Sequence, residues 1–416
     1  MSGLRFHRKA LQVEEAQQAV LSYTQVLETE HVALAESFGR RLAADISAGH
    51  PVPHFRRSGM DGYAIRAADS LEASPERPVP LQVVETIYSG AMPAKEVELG
   101  QAAKIMTGAA VPEGADAVIM LEMTAADGDT VHIRKRMTAG DNITPIGQEV
   151  AAGELLLRSG TSIGPGETAL LASFGYSSVP VYRKPRVAIF PTGSELLDVD
   201  RPLAPGKIRN SNSYMVACQV RDAGGEAILM PVLPDQPDLV ERELRAALAQ
   251  ADCIITSGGV SVGDKDVLVD VFERWDGTLL FNKVAMRPGS PTSAGVWNGK
   301  LLFALSGNPG ACFVGFELFA GPCLRAMQGH PVPLLPETVA RLSADYAKGS
   351  AYSRYVRGTM DWTQGELAVR PAGTDKSSVM VSIKDTDCLI RIPAGGRGAS
   401  SGDRVRVLLL GRPSAK

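Results

Sequence analysis

Residues 256–266 read TSGGVSVGDKD and follow directly on the apolar run DCII at 252–255. A short buried strand that opens into glycines, serines and carboxylates has the parts of an anion site. Gly258 and Gly259 let backbone N–H groups approach a phosphate closely, and Ser257 and Ser261 add hydroxyl donors. Asp264 and Asp266 can hold a hard cation that neutralises the phosphate. The same residues also read as a surface β-turn, because Gly-Gly is common punctuation. Two further loops share the composition: PTGSE at 191–195 and LSGNPGA at 305–311. Three such loops, each following an apolar run, argue for a pocket that cradles a phosphorylated ligand. Neither GxGxxG nor GxxxxGK[ST] occurs, so a dinucleotide fingerprint and a P-loop are both unsupported. In NKVAMRPGSP at 282–291, Lys283, Arg287 and Ser290 suit an oxyanion, with a solvated turn as the alternative. Asp61 in SGMDG and Thr107 in MTGA can be chemical groups or plain Asx and ST turns.

The elements that must place these residues follow from the hydrophobic pattern. Residues 186–329 alternate apolar runs (187–191, 227–232, 253–256, 301–305) with amphipathic stretches (212–223, 237–249, 267–275, 309–327). That alternation predicts a parallel sheet with ligands at the strand C-termini. Upstream, residues 13–27 carry helical spacing suited to packing or pairing, and residues 46–140 are short strands with Pro and Gly punctuation. A second helix is expected to begin near Pro165. Downstream of a Pro-rich hinge at 330–336, short strands recur to Leu410. The 416-residue chain therefore reads as multidomain α/β plus β. The expected division is a discontinuous helical, dimerising domain (1–45 and 141–182), a small β domain (46–140), a central parallel-sheet α/β domain (183–329) and a C-terminal β domain (330–416).

Composition excludes several classes. A net charge of -3 gives no polyelectrolyte signal, so nucleic acid is not expected as a partner and any anion site must be local. The N-terminus has charges where a secretory apolar core would lie, and no run approaches the roughly twenty apolar residues of a membrane span. The expectation is a cytoplasmic protein with no membrane partner. The five cysteines are scattered without a Cys-x-x-Cys pair and read as reduced core residues. The histidines lack metal-ligand spacing, so any metal should be held by oxygen.

Taken together, SGMDGYA, KIMTGAAVPEGADAVIM, FPTGSEL, TSGGVSVGDKD and LSGNPGA, in this order and spacing, resemble the MoeA family of molybdopterin molybdenumtransferases. That family includes the C-terminal domain of gephyrin, and the resemblance runs over nearly the whole chain. It implies an elongated homodimer of four-domain subunits, with the SGG-containing domain folded like the molybdopterin adenylyltransferases. It also implies the reaction: Mg²⁺-dependent cleavage of adenylylated molybdopterin, with molybdate inserted and AMP released. Other proteins of cofactor biosynthesis are implied as partners.

Carried over by motif, the functional carboxylates fall on Asp61, Glu195, Asp235 and Asp266, with Thr107 beside them. Glu195, Asp235 and Asp266 would hold Mg²⁺. The pterin phosphate region would meet Ser257, Gly258, Gly259 and Ser261, with Ser306, Asn308 and Pro309 of the LSGNP loop. Lys283, Arg287 and Pro288 fall at the molybdate pocket, and Ser377 comes from the C-terminal domain. Asp61 of the partner subunit and the partner's Thr107 would complete the site. Some positions depart from the family pattern. Glu149 stands where an aspartate is frequent, Ser290 replaces a second lysine, and Ser306 replaces a proline. Thr359 occupies an arginine position, leaving Arg354 or Arg357 as substitutes. Two other functions fit parts of this pattern: the preceding adenylylation step, and a pterin-binding scaffold without turnover.

Overall fold

Four apolar runs become parallel strands because residues buried on both faces can be continuously hydrophobic. The computed structural model describes residues 9–234, 236–259, 267–363 and 365–411. Asp235, Ser261, Asp264 and Asp266 lie outside the described residues. The chain divides into two compact units: Met1–Ala44, Ser159–Thr168 and Ser178–Lys416 form one, and Asp45–Arg158 with Ala169–Ser177 form the other.

The core of the first unit is a six-stranded sheet. Its order is Glu226–Leu229, Arg186–Pro191, Cys253–Ser257, Lys300–Leu305, Ser293–Trp297 and Thr278–Phe281. The first four strands are parallel, and the last two join antiparallel. That antiparallel edge departs from the expected all-parallel sheet. Its two strands add to the four expected from the sequence. Side chains alternate between two cores. Val187, Ile189, Cys253, Ile255 and Phe303 pack under the helices Asn212–Asp222 and Pro309–Gly315. Ala188, Phe190, Ile254, Leu302 and Ala304 meet residues of Pro237–Leu248 and Val267–Arg274. Each large side chain buried this way contributes about 1.5–3 kcal/mol.

The opening helix runs Val13–Ser22, shorter than the predicted 13–27. Its start carries a capping box between Gln12 and Glu15, while Thr24 ends it by turning its hydroxyl onto the Val20 carbonyl at 2.9 Å. Val13, Ala16 and Val20 are buried in the same core as Phe316, Phe319 and Leu324. Residues 309–327 form one helical run, Pro309–Gly315, a π-turn at Phe316–Ala320, then Gly321–Met327. By length and composition alone this stretch is apolar enough to cross a membrane, but 89% of it is buried inside the unit, as in a core helix. Of the cysteines, Cys218 is exposed and the other four are buried.

The same unit carries a small closed barrel. Ser353–Thr363 pairs with both Glu366–Pro371 and Cys388–Ile392, and Glu337–Leu342 and Arg404–Leu409 complete the ring. Met286–Arg287 adds to it in parallel, setting Arg287 level with Arg354.

The second unit is built on another six-stranded sheet, ordered Ala117–Met120, Gly62–Ile65, Gln101–Ile105, Val79–Ile87, Thr130–Ile133 and Thr124–Asp127. Gly62–Ile65 is buried along its whole length. At Gly62 a Cβ would overlap the Ile119 carbonyl oxygen of the neighbouring strand. Gly62→Ala is therefore expected to destabilise this unit by at least the roughly 1–3 kcal/mol of an overpacked core. A variant that melts with the wild type in a thermal unfolding scan would contradict this.

Candidate active site

The hydrogen-bond register brings the three Gly-Ser loops to one edge. Pro191, Ser257 and Leu305 lie level on adjacent strands, so the residues that follow them emerge side by side. Thr192 donates its N–H and its hydroxyl to the Ser257 carbonyl, each at 3.1 Å, and Gly258 N–H reaches the Leu305 carbonyl at 2.9 Å. Gly258 and Gly259 both take positive φ, 103° and 69°, a conformation that glycine adopts without strain. Asn212, the first residue of its helix, ties the edge together. Its Nδ2 donates to Ser257 Oγ and to the Gly307 carbonyl, both at 2.8 Å.

A cavity of about 610 Å³ opens here, lined on its polar side by Thr192, Glu195, Lys207, Arg209, Asn212 and Ser257, with Gly307 and Pro309 beside them. Leu196, Leu203, Ile208 and Met380 supply an apolar wall. Such a cavity suits a planar heterocycle that carries a phosphate. The Glu195 carboxylate folds over Gly193 at the rim and is exposed.

A second cavity, also about 610 Å³, lies at Arg287–Pro291 and is bordered by Ser306, Asn308 and Ser377. Among the described residues, its charged lining is Arg287, Lys348, Arg354, Arg357 and Lys376 against the carboxylate of Asp375. That excess of cations selects an oxyanion. Arg357 is only 3% exposed, and burial pushes its guanidinium pKa down. Its Nη2 donates to the carbonyls of Thr374, Lys376 and Val379 and to Ser382 Oγ. Nε of both Arg354 and Arg357 is buried without an acceptor among the described residues. The buried hydroxyl of Ser290, which also lines this cavity, is turned onto the Val284 carbonyl at 2.7 Å. Lys283 is not among the lining residues, although Arg287, Pro288, Ser306, Asn308 and Ser377 are.

Asp61, Thr107 and Glu149 lie in the second unit. Asp61 and Thr107, 46 residues apart, are joined directly: Thr107 donates its N–H at 2.7 Å and its hydroxyl at 2.8 Å to Asp61 Oδ1. This is a latch between two loops rather than a pair of local turns. The N–H and then the hydroxyl of Thr107 hold the Asp61 carboxyl below its ordinary pKa. Glu149 pairs with Arg57 at 2.7 Å, an exposed ion pair of little energetic weight.

Sequence reasoning missed Asn212, Lys348, Asp375 and Lys376. Asn212 had a usable signal, since it opens a helix just after a strand loop. The other three sit on the barrel and its loops, and only tertiary docking brings them to the sheet edge.

Residues 11–175 match the family described as MoeA N-terminal region (domain I and II). Residues 188–326 match a probable molybdopterin binding domain, and residues 339–410 match the MoeA C-terminal region (domain IV). A molybdopterin molybdenumtransferase of Bacillus subtilis is 46% identical over 407 residues, covering 97% of this chain and 95% of its own length. One from Staphylococcus aureus is 40% identical over 403 residues, covering 97% and 96%. Two crystal structures of a molybdopterin biosynthesis MoeA protein from Pyrococcus horikoshii are 32% identical, with TM-scores of 0.85 and 0.82. Each covers 96% of this chain, with 99% and 100% of the other chain matched.

Proposed function

This chain belongs to the MoeA family and is a molybdopterin molybdenumtransferase of molybdenum cofactor biosynthesis, and on that premise we propose how it works. It takes adenylylated molybdopterin and molybdate, inserts the molybdate into the pterin dithiolene and releases AMP. The observation that carries this reading is the pair of cavities at one sheet edge, with the start of the Pro309 helix between them. Asn308 lines one and Pro309 the other.

The chemistry asks for that division. Molybdate is a dianion brought to a ligand that already carries phosphates. Two unit charges about 4 Å apart repel by roughly 4 kcal/mol at an effective dielectric of about 20. Fixed cations must offset this before any bond can form. Arg287, Lys348, Arg354, Arg357 and Lys376 bind the oxyanion. Ser257, Gly258 and Gly259 orient the phosphate region, with Ser261 expected beside them, Ser306 stands at the oxyanion, and the apolar wall holds the ring.

Mg²⁺ is the implied metal, and the donor chemistry of Glu195 fits it. Magnesium is held through one or two carboxylates together with substrate phosphates, and Glu195 presents hard oxygens at the cavity rim. No group of three or more His, Cys, Asp or Glu side chains able to hold a metal occurs among the described residues. Asp235 and Asp266 are the proposed companions. When bound, the metal neutralises phosphate charge.

The protein is proposed to act as a homodimer in which Asp61 of the partner subunit, the partner's Thr107 and the partner's Glu149 complete the site. This rests on the family resemblance and on the exposure of the Asp61–Thr107 latch. The four-domain division expected from the sequence is kept as a proposal, as are a cytoplasmic location and exchange of the pterin with other proteins of the pathway.

The test is to incubate purified protein with adenylylated molybdopterin, Mg²⁺ and molybdate. Molybdate-dependent AMP release above the spontaneous rate is expected. Its absence would overturn the reading, with tight pterin binding alone selecting a scaffold and ATP consumption with molybdopterin selecting the adenylylation step.

A further inference from the structure

Among the described residues, the only carboxylate lining the oxyanion cavity is Asp375, whose side chain is 10% exposed. By charge alone it opposes the ligand. It is nevertheless at the centre of the cation cluster. Asp375 Oδ1 accepts from Lys348 Nζ, and Oδ2 accepts from the Tyr346 hydroxyl. Arg354 Nη1 lies 3.8 Å from Oδ2. Tyr346 belongs to the barrel core, which gives the cluster a rigid anchor. Arg357 Nη2 grips the carbonyls on either side, those of Thr374 and Lys376, at 3.3 Å each.

We propose that Asp375 is a positioning residue for oxyanion binding, holding Lys348 and Arg354 at a fixed spacing on the cavity wall. Lysine is a point charge on a flexible four-carbon stem, and the Lys348 side chain is 52% exposed. Without a tether it would spread over many rotamers, and ligand binding would have to reorder it. Burial pushes the Asp375 carboxyl pKa up, but the bonds from Lys348 and Tyr346 outweigh it and hold the group below the usual carboxylate range. Asp375 is therefore charged at neutral pH. Tyr346, pushed well up by burial and by Asp375, stays a donor.

This inference rests on the cavity taking molybdate, and the test separates the two. Charge and position predict opposite signs. Asp375→Asn makes the cavity more positive, so a purely electrostatic role lowers KM for molybdate. A positioning role raises it. The expected result is a rise of about tenfold in KM for molybdate, with kcat within about twofold of wild type.

Because part of the action of Asp375 runs through Lys348, the double variant Asp375→Asn/Lys348→Gln should be clearly less than additive, with the remainder carried by Arg354. An unchanged or lowered KM in Asp375→Asn, or full additivity in the double variant, would overturn the proposal. If Asp375→Asn does not fold, Tyr346→Phe removes one anchor of the same carboxylate. A KM rise of about threefold then supports the proposal, and an unchanged KM overturns it. A wild-type protein with no molybdate dependence would instead remove the functional reading on which the proposal stands.

Discussion

Arg357→Met is expected to abolish molybdate-dependent turnover and to lower the unfolding free energy by about 1.5–3 kcal/mol, the range for a hydrogen bond to a charged group. The side chain is almost wholly buried, and one nitrogen serves four acceptors between Thr374 and Ser382. Methionine fills much of the volume and satisfies none of them. The loop that carries Asp375, Lys376 and Ser377 would lose its clamp, and the cavity would lose a cation at the same time. Its guanidinium also lies against Gly310, whose N–H reaches the Ser377 carbonyl at 2.8 Å, so the helix start is disturbed as well. Arg357→Lys keeps the charge without the planar fork and should fall between the two. The measurements are denaturant unfolding and kcat/KM for molybdate. A methionine variant with wild-type values of both would show that this arginine neither shapes nor serves the cavity.

Asp61→Asn is expected to lower kcat by about 10²- to 10³-fold, the scale seen when one aligned electrostatic group is lost. The fold should be unaffected, because Asp61 is exposed and asparagine still offers Oδ1 to Thr107. The substitution thus removes charge and keeps geometry, which separates catalysis from structure. The pH dependence has a definite sign. The folded-state pKa of Asp61 is depressed below the ordinary 3.8. The latch is therefore fully present above that value, and it is lost as pH falls through the lower folded-state pKa. A carboxyl titration followed by NMR should have its midpoint below 3.8, and a midpoint at or above it would mean that Thr107 does not hold the charged form in solution. Full activity in the asparagine variant would remove Asp61 from the chemistry.

The parts legible in the sequence were those written in local pattern. Residues 187–191, 253–256 and 301–305 are apolar runs that only a strand buried on both faces explains, and glycine-rich loops follow each of them. Their convergence at one edge then follows from parallel pairing. Arg287 was readable because Pro288 and Gly289 fix a turn beside it. The antiparallel edge was not readable, because no helix separates Thr278–Phe281, Ser293–Trp297 and Lys300–Leu305, so the strand–helix alternation does not extend to them. The cation cluster was hidden for a different reason. Lys348, Arg354 and Asp375 come together with Arg287 only when the Ser353–Thr363 strand pairs with Met286–Arg287. Arg354 and Arg357, offered by the sequence as substitutes for one family arginine, both line the cavity.

The opening helix depends on partners that are made much later. Val13, Ala16 and Val20 bury themselves among residues that include Phe316, Phe319 and Leu324, and Leu27 N–H closes onto the Met327 carbonyl at 2.8 Å. During synthesis at about 5–20 residues per second, roughly 300 further residues take on the order of 15–60 s to appear. For that time the helix has an apolar face and no native surface to cover it. The Asp45–Arg158 stretch, by contrast, contains a whole sheet and can close as soon as it leaves the ribosome. The Val13–Ser22 helix, though translated before its partners, is therefore among the last elements to find its place.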